Sequence, residues 1–97
     1  MDYQVSWSPE ALDDVDGIAE YIARDSVFYA SAVVDKIREV SRTLSRFPLR
    51  GRQVPELGDT EIHECFIYSY RLIYRIRADE VLIIALIHGR QFMMSHL

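Results

Sequence analysis

Seven of the charged or titratable residues in the later half of the chain stand where they could act together. Arg71, Arg75 and Arg77 recur within Tyr70-Arg71-Leu72-Ile73-Tyr74-Arg75-Ile76-Arg77, Arg90 follows in His88-Gly89-Arg90, Glu64 precedes them and His96 follows. Guanidinium groups make forked contacts to carboxylate or phosphate, and imidazoles titrate near neutral pH. The set therefore suits recognition of an anionic partner, with groups at hand that can carry a proton. His63 and Cys65 fall two apart on one strand face and have zinc-ligand chemistry, but no second pair stands at ligand spacing. The expectation is no metal and no cofactor.

The elements that must position these residues form a hairpin. Alternation puts Tyr70, Leu72, Tyr74 and Ile76 on one face of its first strand and Arg71, Ile73, Arg75 and Arg77 on the other. After a charged turn at Ala78-Asp79-Glu80, the second strand places Val81, Ile83, Ala85 and Ile87 on one face and Leu82, Ile84 and Leu86 on the other. A strand apolar on both faces belongs in the middle of a sheet and needs covering twice. Its second cover is expected to be the chain's own tail or another molecule.

Composition narrows the class. With 97 residues, 49% hydrophobic and 27% charged, the chain reads as one globular domain over residues 1–97. It has no apolar stretch of membrane-spanning length and no secretory pattern at its start, and Cys65 stands alone, so a cytoplasmic protein without a membrane partner is expected. The net charge of -4 hides an asymmetry: residues 1–35 carry eight acids against Arg24 alone, residues 36–97 ten basic residues against seven acids.

Upstream, Tyr3-Gln4-Val5-Ser6-Trp7 alternates as a half-buried strand. Ser8 then caps a helix with Pro9 at its first position and Ala11, Val15, Ile18 and Ile22 as its stripe. Asp25-Ser26 starts a second helix, striped by Ala30, Val33, Val34, Ile37, Val40 and Leu44, with Arg38, Arg42 and Arg46 as a basic ridge. Residues 48–60 lose periodicity and read as a loop in which Gly51 and Gly58 are turn residues, and a further strand begins at Ile62. The expected fold is α+β: an N-terminal strand, an antiparallel helical hairpin and a three-stranded antiparallel meander, with the helices on one face of the sheet.

Several local patterns coincide with a known family. Trp7-Ser8-Pro9-Glu10-Ala11, Asp14, Ile18, Tyr21-Ile22, Phe47-Pro48, Gly51-Arg52, Val54-Pro55-Glu56, Tyr70-Arg71-Leu72-Ile73-Tyr74 and His88-Gly89-Arg90 occur in order over nearly the whole chain. In this the chain resembles the ParE branch of the ParE/RelE toxin superfamily, toxins of bacterial type II toxin-antitoxin modules. The resemblance implies the same element order and an antitoxin partner whose tail wraps the toxin, with Arg38, Arg42, Arg52, Leu82, Ile84, Leu86, Phe92 and Met93 as its candidate contacts. It implies no sequence-specific DNA binding by the toxin alone.

Two activities occur in the superfamily. RelE-like members cleave messenger RNA on the ribosome, which requires a base, cations against the developing negative charge and a proton donor. ParE-like members are described as binding DNA gyrase, which requires a surface. The resemblance aligns Arg71 and Arg90 with shared arginine positions, but puts Ile62 and Glu64 where the ribonucleases carry basic residues. A carboxylate beside a scissile phosphate repels it by about 1 kcal/mol even when well solvated. The expectation is therefore a gyrase-binding toxin without catalysis, with Arg71, Arg75, Arg77, His88 and Arg90 as target contacts. The ribonuclease alternative would use Arg71, Arg90 and His96 with Glu64 as base, and a third alternative is an inactive homologue that binds antitoxin only. Arg71 has a structural alternative as well, a carboxylate pair with Glu64 or Glu56, and His88 has one as a strand-end residue bonded to the backbone.

Overall fold

The computed structural model describes residues 2–90. The chain runs through β1 (Gln4–Trp7), α1 (Pro9–Ala23), α2 (Val27–Thr43), β2 (Arg52–Gln53), β3 (Ile62–Ile67), β4 (Tyr70–Arg77) and β5 (Glu80–His88). One sheet of order β1-β5-β4-β3-β2 results, with β1 parallel to β5 and every other pair antiparallel. The α+β arrangement is the one the sequence calls for. The two-residue β2 is an addition, too short to leave any alternation in the sequence.

Both helix starts follow their caps. The Ser8 hydroxyl accepts from the amide of Ala11 at 3.1 Å and that of Ser26 from Tyr29 at 3.0 Å, each satisfying a donor that the first helical turn leaves open. The hairpin lays Ala11, Ile22, Val33, Ile37, Val40 and Leu44 onto Cys65, Ile67, Leu72, Tyr74, Val81, Ile83 and Leu86. No helix among the described residues is long and apolar enough to cross a membrane.

The face assignment of β5 requires correction. Tyr74 pairs with Ile83 and Ile73 with Ala85, so Ile84 is an extra residue, a β-bulge that reverses parity along the strand. Val81 and Ile83 face the helices before it and Leu86 after it, whereas Ala85 and Ile87 join Ile73, Ile62 and Val54 in a second core on the opposite face. An apolar run on both faces carries no parity signal, which is why simple alternation misplaces Ala85, Leu86 and Ile87.

The bulge lies where β1 ends. Beyond Trp7 the start of α1 takes over as neighbour of β5: the Ser8 amide donates to the Ile83 carbonyl at 2.9 Å, its hydroxyl to the Ile84 carbonyl at 3.3 Å, and Asp14 Oδ2 accepts from the Leu86 amide at 2.9 Å. Backbone groups that a longer β1 would have paired are thereby satisfied. Among the described residues, Ile73, Ala85 and Ile87 already have a cover on this second face. It is the loop before β3, through buried Val54 and half-buried Leu57.

Candidate functional site

Strand register brings the charged residues of the second face together. Phe66 is opposite Arg71 and Glu64 opposite Ile73 on β3 and β4, while Arg52 of β2 is opposite Glu64. Arg71 is only 5% exposed. Its Nη1 donates to Glu56 Oε2 at 2.8 Å, its Nη2 to Glu56 Oε1 at 2.9 Å and its Nε to Glu64 Oε1 at 2.6 Å. The other Glu64 oxygen, Oε2, accepts from Arg52 Nε at 2.7 Å. The hydrogen bonds to Glu56 raise the Arg71 pKa against the opposing effect of burial, and Glu64 adds to them. This is a buried ion network in which both oxygens of Glu64 and both forks of Arg71 are engaged.

The loop that delivers Glu56 is anchored from the helix side of the sheet. The fully buried Tyr74 donates its hydroxyl to the Pro48 carbonyl at 2.7 Å and accepts from the Gly51 amide at 3.1 Å. A Cβ on Gly51 would collide with the Glu64 carbonyl oxygen and lie 2.7 Å from the Tyr74 hydroxyl, so only glycine permits this approach. His63 stacks on Tyr74 with ring centroids 5.7 Å apart. Burial pushes the Tyr74 hydroxyl well above its ordinary value and raises the nearby Cys65 thiol as well.

The other candidate residues disperse. Arg77 is exposed and pairs with Glu61 at 2.9 Å. Arg75 is half-buried, and its Nε lacks a hydrogen-bond partner among the described residues. His88, edge-on to Tyr70 at 5.9 Å, accepts the Arg90 amide on Nδ1 at 3.3 Å. Arg90 is exposed at the end of the described chain, while His96, Phe92 and Met93 lie outside the described residues. Arg71, an expected target contact, is buried among carboxylates instead. Leu86, an expected antitoxin contact, is 2% exposed because the bulge turns it inward. Leu82 and Ile84 are half-buried.

Sequence reasoning missed two concave surfaces that only the tertiary packing creates. A groove of about 320 Å³ runs along the outside of the helical hairpin, lined by Trp7, Leu12, Val15, Ala19, Val34, Ile37 and Arg38. It continues toward the hairpin tip over Ala23, Val27, Ala30 and Ser31. A cleft of about 470 Å³ separates α1 from the end of β5, with Asp13 and Asp14 among its walls and Ile18, Tyr21, Tyr70 and His88 completing them. Arg38 and Arg42 are exposed, Arg38 on the rim of the groove.

Comparison with known proteins agrees with this architecture. The fold is similar to the chromosomal ParDE toxin-antitoxin system of P. aeruginosa, with TM-score 0.72 and 18% identity over 89% of this chain and 95% of that one. The RelBE2 toxin-antitoxin complex of Mycobacterium tuberculosis aligns with TM-score 0.62 and 26% identity over 91% and 99% of the two chains. A mutant of the E. coli toxin RelE in the free state aligns with TM-score 0.68 and 16% identity over 93% and 86%. A search of curated proteins found no match. Residues 5–93 match the family described as ParE toxin of type II toxin-antitoxin system, parDE. That match takes in the helical hairpin, the loop carrying Glu56 and the strands carrying Glu64 and Arg71, and the chain accordingly belongs to the ParE toxin family.

Proposed function

We propose that the chain is a cytoplasmic toxin that acts by contact with DNA gyrase, disturbing its cleavage cycle, and that an antitoxin holds it inactive. The observation that carries this reading is the state of Arg71. A ribonuclease of this superfamily needs a cation at that position to meet phosphate, yet here the guanidinium is committed to Glu56 and Glu64. A phosphate entering beside it would meet two carboxylates, and freeing Arg71 would strand a buried Glu64 beside Arg52 alone. Both Glu64 oxygens already accept from guanidinium groups, which stabilise its charge and make it a weaker base.

The antitoxin half of the reading draws on the ParDE and RelBE2 systems whose fold the chain shares. The helical groove suits an amphipathic helix, with apolar side chains against Leu12, Val15 and Val34 and a carboxylate toward Arg38. Purified toxin added to a gyrase supercoiling reaction is expected to inhibit it at micromolar concentration, and stoichiometric antitoxin to relieve the inhibition. Cleaved messenger RNA in a ribosomal A-site assay, with gyrase unaffected, would replace this reading by the RelE-like one.

A further inference from the structure

The turn that follows α2 carries two large apolar side chains that the core does not use. Phe47 is 63% and Leu49 73% exposed, and with Arg46, Pro48 and Arg50 they line a surface concavity of about 480 Å³. It shares no lining residue with the helical groove. The backbone beneath it is fixed. The Phe47 amide donates to the Thr43 carbonyl at 2.9 Å and the Arg50 amide to the Phe47 carbonyl at 3.1 Å, which closes the turn. The Pro48 carbonyl accepts from the buried Tyr74 hydroxyl at 2.7 Å, and Arg50 Nη1 donates to Thr43 Oγ1 at 2.6 Å. A partner therefore meets Phe47 and Leu49 on a backbone already ordered, which lowers the entropic cost of binding. Exposed apolar side chains rimmed by polar ones mark a site of interaction.

The lining carries charge of one sign. Both of its charged residues are arginines, and exposed Arg42, one helical turn before Arg46, extends them along α2. None of these three arginines makes an ion pair among the described residues. Of the acids on neighbouring elements, Glu39 pairs with Lys36 at 3.5 Å, Glu61 with Arg77 at 2.9 Å, and Asp59 accepts the Glu61 amide at 2.8 Å. Asp2, Asp79 and Glu80 are exposed at the starts of β1 and β5, and none of them lines the concavity. A cation in the last turn of α2 also answers the helix dipole. One suffices for that, and it gives no reason for Phe47 and Leu49 to be bare.

An occupant must bring an anion and, beside it, an apolar side chain. Single-stranded nucleic acid binds on successive ring faces, and Phe47 is the one ring in the lining, with proline and leucine next to it. Adsorption to an anionic membrane takes a broad apolar helix face or a cluster of about four or more basic residues, more than this turn supplies. A protein segment meets both demands in a short stretch of chain, because carboxylates take up guanidinium groups in forked contacts. We propose that the Phe47–Arg50 turn is a docking site for an acidic protein segment, which lays a leucine or phenylalanine side chain between Phe47 and Leu49 and sets carboxylates on Arg46 and Arg50. The site is additional to the helical groove and stands whether or not gyrase is the target.

A random decamer phage library panned on the immobilised full-length chain, with counter-selection on Phe47→Ser/Leu49→Ser, tests this. Enriched decamers are expected to combine aspartate or glutamate with leucine or phenylalanine. Resynthesised with a fluorescein label, such a decamer is expected to bind wild type and to lose about tenfold in affinity for Phe47→Ser/Leu49→Ser and for Arg46→Glu, as hot-spot substitutions do. Its binding should weaken as salt is raised, and Arg24→Ala, at the far end of the helical hairpin, should leave it unchanged. Each variant replaces exposed side chains and is expected to melt as wild type does, which separates lost binding from lost folding. Enriched decamers without acids, decamers whose binding survives both substitutions, or a library that yields no binder dependent on the turn overturn the proposal. Binding of a labelled single-stranded RNA or of phosphatidylserine vesicles in preference to the decamers, lost in the same variants, would assign the turn to nucleic acid or membrane and overturns it as well. Because binding is measured and not arrest, failure here leaves the proposed activity untouched.

Discussion

Arg71 shows how a side chain open to a catalytic reading in sequence is held in the folded chain by two carboxylates. Its two candidate carboxylates, Glu56 and Glu64, are visible in the sequence; that both engage it at once, and that Arg52 takes the remaining Glu64 oxygen, depends on pairings 7 to 15 residues apart that no local pattern encodes. Removing the cation alone leaves Glu64 buried beside the half-satisfied network. Arg71→Ala is therefore expected to cost about 3–5 kcal/mol in denaturant unfolding, whereas Glu56→Gln/Glu64→Leu/Arg71→Met, which withdraws the charges together, should recover most of that loss. Tyr74 gives a pH-dependent counterpart. Its hydroxyl lies above its ordinary 10.0 in the folded chain, so the native state keeps a proton that the unfolded chain releases. Stability from this group is complete below about pH 9 and falls as pH rises through about 10, by up to about 1.4 kcal/mol per pH unit. Thermal melts in alkaline buffers should show that decline, and Tyr74→Phe should remove its share of the slope.

Elements were legible where their signals are local. Ser8 and Ser26 announced both helices, and alternation announced the β3–β4–β5 meander, because caps and period-2 patterns act within a few residues. The Ile84 bulge was hidden by apolar residues on both faces of β5, and β2 by its brevity. The junction at the end of β1 was hidden for another reason: Asp14 reads as a helix-dipole acid, yet it serves the Leu86 amide 72 positions away. Asp14→Ala should expose that amide at a cost of about 1.5–3 kcal/mol, the range for hydrogen bonds to charged groups. Hydrogen exchange at Leu86 should accelerate in that variant, and Asp14→Asn, which keeps an acceptor oxygen, should restore part of the protection.

Across the whole molecule the surfaces divide the work. The ion network and the loop over Val54 close the second face of the sheet, the helical groove lies open on the other side, and exposed Phe28 and Tyr29 lie at the hairpin tip. On the proposed reading activity resides in contacts, and Arg71, paired with Glu56 and Glu64, holds the loop to the sheet. Family and fold could be read from the sequence because they rest on many local patterns in order; the site could not, because burial decided which arginines remained at the surface. The most direct test is growth arrest by the folded Glu56→Gln/Glu64→Leu/Arg71→Met variant, which lacks every charge of the network except Arg52. Arrest within about threefold of wild type, well under the loss that removal of a transition-state cation brings, is the expected result. A folded variant that no longer arrests growth, while wild-type cells accumulate cleaved messenger RNA, would contradict it.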